Sequence, residues 1–74
     1  MTVRLTLAAD MPAPVFARLR GEVERQGAPA MTVRREEADL VFEGQTSEFM
    51  LRCRALTALE SIYDHDEWQR VVRL

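Results

Sequence analysis

An α+β fold, in the order strand, helix, strand, strand, helix, strand, is predicted by three observations. Apolar and polar residues alternate near both ends of the chain and in a central pair of short runs. Two stretches between these runs repeat apolar residues at steps of three and four. The length, 74 residues, leaves room for one domain, residues 1–74.

The elements follow in order. Val3, Leu5 and Leu7 alternate with Thr2, Arg4 and Thr6, the period of a half-buried strand. Asp10 and Pro12 predict a helix start, with Asp10 as N-cap and proline in the first turn, where its missing N–H costs nothing. Val15, Phe16, Leu19 and Val23 form that helix's apolar stripe. Gly21 within it costs about 1 kcal/mol relative to alanine. Gln26-Gly27 marks the end, with Gly27 as a left-handed cap and Pro29 preventing continuation. Met31 and Val33 predict a second strand, Leu40 and Phe42 a third, and Arg35-Glu36-Glu37 the polar turn of an antiparallel hairpin. After Gly44-Gln45, Thr46 or Ser47 caps a second helix.

The second helix carries Phe49, Cys53, Leu56, Leu59 and Ile62 on one stripe, widened by Leu51, Ala55 and Ala58. Phe16, Leu19, Phe42, Phe49, Leu56 and Leu59 are expected to share the core. Asp64-His65-Asp66-Glu67 reads as a polar loop before a last strand from Trp68 to Leu74. Arg70 falls on the buried parity of that strand, which requires a bulge or an edge position. The whole order suits a ferredoxin-like sandwich: a four-stranded antiparallel sheet in spatial order 4-1-3-2 with two helices on one face. The alternative is a two-helix, three-strand domain whose last strand pairs with a partner chain.

Composition narrows the function classes. Hydrophobic residues at 47% and charged residues at 30% match a globular domain. A chain this short buries only about 60% of its unfolded surface, so marginal stability is expected. Cys53 is the single cysteine and has no intramolecular partner. No apolar run approaches the roughly 20 residues that cross a bilayer. No secretory signal pattern is present, so a cytoplasmic location and no membrane partner are expected. The net charge of −2 steers towards neither nucleic acid nor membrane. All ten basic residues are arginine, most simply the mark of a GC-rich coding genome.

No cluster reads as a catalytic or metal centre. Asp64-His65-Asp66-Glu67 has metal-ligand residue types, but consecutive residues point in different directions and no second ligand set lies elsewhere. Cys53 with His65 as base is outweighed by the position of Cys53 on the apolar stripe. The first strand–helix junction, Ala8 to Pro12, lacks the cysteine pair of ferredoxin-like domains that carry copper or zinc. There is no G-x-G-x-x-G and no P-loop. Neither an enzyme, a cofactor nor a metal is expected. A base-stacking platform is not expected either, because Arg4, Thr6, Val41 and Glu43 face outward from the central strands and none is aromatic.

The feature that survives is an outward sheet face bearing Arg4, Arg34 and Arg73, with most acidic residues expected on the helices, the hairpin turn and the last loop. Arginine suits carboxylate or phosphate partners. It is equally what three strands with solvated faces would show. The expected function is a small non-enzymatic protein–protein interaction module, an inhibitor or adaptor acting on a larger protein or nucleoprotein. The alternative is a domain contacting nucleic-acid phosphates through the three arginines. A homodimer is also expected, because the edge strands Met31 to Arg35 and Trp68 to Leu74 contain neither proline nor lysine to blunt them.

Ala38 to Ile62, with Leu51-Arg52 early in its helix, resembles in apolar spacing the small scaffold subunit of the tRNA-modifying KEOPS complex. That resemblance implies a dimerising scaffold, to which this chain adds a terminal strand. In size the chain is also similar to phage-encoded inhibitors of the anti-CRISPR type, a resemblance of type that no motif carries.

Overall fold

The computed structural model describes residues 1–26 and 30–73. The elements are β1 (Thr2–Leu7), α1 (Ala13–Arg25), β2 (Met31–Glu36), β3 (Asp39–Gly44), α2 (Glu48–Ile62), α3 (His65–Val71) and β4 (Val72–Arg73). The strands form one antiparallel sheet in the order β2-β3-β1-β4. This is the expected ferredoxin-like α+β arrangement with one further helix. The cap and stop expected at Gly27 and Pro29 lie outside the described residues.

The inner sheet face follows the sequence parity. Val3, Leu5 and Leu7 are buried while Thr2, Arg4 and Thr6 are exposed. Val33, Leu40 and Phe42 join them, with Leu19 and Val23 of α1 and Leu51, Ala55, Ala58 and Leu59 of α2. Met11, fully buried between β1 and α1, is a core residue that the sequence reading left out. No polar or charged residue is buried among the described residues. The hairpin is tighter than expected: β2 runs through Glu36 and β3 starts at Asp39, leaving Glu37 and Ala38 as the loop. Glu37 takes the positive φ, 56°, that a two-residue hairpin loop demands.

Helix starts differ at the two main helices. Ser47 caps α2 as expected, its hydroxyl accepting from the Met50 N–H at 3.2 Å. Asp10 does not cap α1. The helix begins at Ala13, and the Pro12 carbonyl accepts from the Val15 and Phe16 N–H groups at 3.0 Å.

The rotation of α2 corrects the expected core. Leu51, Ala55, Ala58 and Leu59 are buried, Leu56 is half-buried, and Phe49 and Cys53 are exposed. The expected stripe is displaced by roughly one residue step, about 100° around the axis. The small Ala55 and Ala58 allow the helix axis to approach the sheet. Gly44 has the same effect at the end of β3: a Cβ there would stand 3.3 Å from Leu51 Cδ1 and from the Ala30 carbonyl oxygen. Phe16 is half-buried, not fully buried as expected, and lies beneath the Arg20 and Arg35 guanidinium groups at 5.5 and 5.8 Å.

The last segment is also corrected. Residues His65–Val71 are helical, and among the described residues of this segment Val72 and Arg73 pair with β1, opposite Leu7 and Thr6. The acidic cluster is the cause. The Glu67 carboxylate accepts the Asp64 backbone N–H at 3.0 Å, closing the first turn of α3. Trp68 then reaches the core from a helix, and Arg70 is exposed in the last turn. The parity conflict at Arg70 disappears because no strand runs through it.

Candidate interaction surfaces

Three strands bring Arg4 and Arg34 to either side of Val41 on the outer sheet face, since both residues pair with Val41 in register. Val41 is fully buried although it points away from the helices. Arg4 and Arg34 are its cross-strand neighbours on that face, and arginine side chains can cover apolar surface with their aliphatic stems. Their guanidinium groups are held over it by acids on the same face. Arg4 lies 3.2 Å from Asp39 and 3.6 Å from Glu36. Arg34 lies 3.0 Å from Glu36 and also pairs with Glu43. Glu36 thus bridges both arginines.

This corrects the expected separation of charge. Sequence patterning places Glu36 in the polar turn and the acids around it off the sheet face, but the tighter hairpin makes Glu36 and Asp39 strand residues of the same parity as Arg34 and Val41. Arg73, exposed on β4 opposite Thr6, makes no ion pair among the described residues. The face therefore carries Arg4, Arg34 and Arg73 against Glu36, Asp39 and Glu43, with no net charge. Exposed pairs of this kind contribute about 0–1 kcal/mol each. Their larger effect here is to occupy the arginine donors.

A second surface lies where β3 turns into α2. Phe49 is 73% exposed, Met50 43% and Met1 61%. Met1 is tied to the same end, its amino group donating to the Gly44 carbonyl at 3.0 Å. Cys53 is exposed one turn along α2 from Phe49. Sequence periodicity assigned Phe49 and Cys53 to the core, so this patch was missed. The signal for it was a stripe too wide for one helix to bury.

Of the residues in the candidate chemical clusters, two have a structural role and Cys53 is exposed, not buried as its place on the apolar stripe implied. Asp64 and Glu67 start α3. His65 is its first residue, and no hydrogen bond joins it to Cys53 among the described residues. No group of three or more histidine, cysteine, aspartate or glutamate side chains that could hold a metal occurs among the described residues. No helix among them is long and apolar enough to cross a membrane. In comparisons with protein families, curated proteins and solved structures, nothing matches this chain.

Proposed function

We propose that this chain is a non-enzymatic protein-binding module, an inhibitor or adaptor that docks on a larger protein or nucleoprotein through the Phe49–Met50 end of α2. The supporting observation is Phe49. An aromatic side chain stays 73% exposed while the core packs fully without it. Aromatic and methionine side chains are enriched at the centres of protein interfaces, and methionine adapts to irregular partner surfaces. The outer sheet face favours this reading over phosphate binding, because Arg4 and Arg34 already donate to Asp39, Glu36 and Glu43.

The test is capture of partners from the native host by the wild-type chain and by a Phe49→Ser, Met50→Ser double variant, at two salt concentrations. A specific protein retained at high salt by wild type and lost by the double variant is the expected result. Capture of nucleic acid that collapses as salt rises, unchanged in the double variant but lost in Arg73→Ala, would replace this reading with phosphate binding.

A further inference from the structure

β2 and β4 are the edges of the sheet, and they are unequal. Among the described residues β4 has two, whereas β2 has six and offers the longer edge for another strand. The outward-facing backbone groups of β2 follow from the register. Gly44 exchanges both its N–H and its C=O with Met1, so alternate β3 residues Phe42 and Leu40 also face β1. Glu43, Val41 and Asp39 then face Thr32, Arg34 and Glu36. Met31, Val33 and Arg35 are left with N–H and C=O groups directed at the open edge. Beside that edge runs a groove between β2 and α1, lined by Met31, Val33 and Val23 and flanked by Arg20 and Glu24. Neither Arg20 nor Glu24 has an ion-pair partner among the described residues.

We propose that the chain forms a two-fold homodimer by antiparallel pairing of β2 with β2 of a second copy, centred on Val33. Charge decides the occupant and the register. Arg20 and Glu24 are one helical turn apart on the same side of α1. A two-fold axis over Val33 runs the two α1 helices antiparallel across the seam and sets Arg20 of each copy against Glu24 of the other. An isologous interface requires this kind of self-complementarity. Centring the axis on Arg34 or Arg35 would set like charges opposite each other on adjacent strands, which is unfavourable. Centring on Val33 instead places Val33 beside its own copy over the groove and Thr32 beside Arg34. The joined sheet satisfies the edge backbone groups of Met31, Val33 and Arg35, which β-strand addition at an open edge would pair. The Phe49 end takes no part, so this inference is independent of the proposed docking function.

Sedimentation equilibrium of the purified full chain at low micromolar concentration tests it. Wild type and Phe49→Ser are expected at twice the 8.5 kDa chain mass. Arg20→Glu and Glu24→Arg each create like-charge contacts at the seam, and each should weaken the dimer by about tenfold or more while leaving the far-UV circular dichroism unchanged. An equimolar mixture of the two single variants, and the double exchange Arg20→Glu with Glu24→Arg, should both recover the dimer. A monomeric wild type overturns the proposal. So does a dimer that both single variants leave intact, or one that neither the mixture nor the double exchange recovers.

Discussion

The two sides of α2 carry similar side chains and have opposite fates. Leu51, Ala55, Ala58 and Leu59 are fully buried against the sheet. Phe49, Met50 and Cys53, equally apolar by sequence, remain exposed. The contrast shows that helix-to-sheet packing selects for close approach, not for the largest side chain. The alanines bring the axis near the sheet, and Phe49, in the first turn, projects back past the end of the packed surface.

Truncation on the packed side of α2 carries the largest expected cost. Leu59→Ala should cost about 2–5 kcal/mol, enough to unfold much of a marginal domain, and chemical denaturation would measure it. Leu56→Ala, on the half-buried flank, should cost distinctly less. If the two are equal, the rotation assigned to α2 is wrong. The exposed side of α1 offers the opposite sign. Gly21 has nothing within 4 Å of a built Cβ, so alanine there should stabilise the chain by about 1 kcal/mol, read as a higher denaturation midpoint. A loss of stability would reveal a packing role for that position.

Phe49→Ser should change stability by no more than about 0.5 kcal/mol, because its side chain leaves no cavity. A cost of several kcal/mol would return Phe49 to the core and remove the candidate interface. The smallest effect, absent at neutral pH, concerns Tyr63 at the end of α2. Burial, and next the Glu67 carboxylate, raise its phenol above the ordinary 10.0, against the lowering effect of Arg18. A raised acid holds its proton more tightly when folded. Its stabilising contribution is therefore complete below pH 10.0 and declines as pH rises through the folded value. Phenolate absorbance should titrate above the ordinary tyrosine range, and Tyr63→Phe should flatten the alkaline loss of stability. Titration at or below that range would contradict the placement of Tyr63 against the core.

Trp68 is buried near the end of the chain. Its indole N–H has no hydrogen-bond partner among the described residues. The side chain is held by apolar packing from α3, where the sequence parity had placed it on a strand. Apolar period alone does not separate these cases over so short a segment, since Trp68 and Val72 are compatible with either element. The reciprocal Asp64–Glu67 geometry at the helix start decided for helix.

Local patterning determined the strand parity of β1, the existence of the hairpin and the Ser47 cap, because period, turn residues and caps act over a few neighbouring residues; the succession of strands and helices along the chain restricted the strand order. The presence of Arg4, Arg34 and Arg73 on the outer face was equally legible, as alternation on a strand is strict. Their electrostatic environment was not. Whether Glu36 and Asp39 belong to a turn or to the strands depends on a loop two residues long, and moving them into register changes a cationic face into a neutral one. The rotation of α2 was also a tertiary outcome, since a wide apolar stripe can be buried along either flank and only contact with the sheet distinguishes them. Residue chemistry limits which positions are able to be core or surface; the packing of α2, α3 and the hairpin selected which apolar residues stay outside, because burying one face of a helix exposes the other.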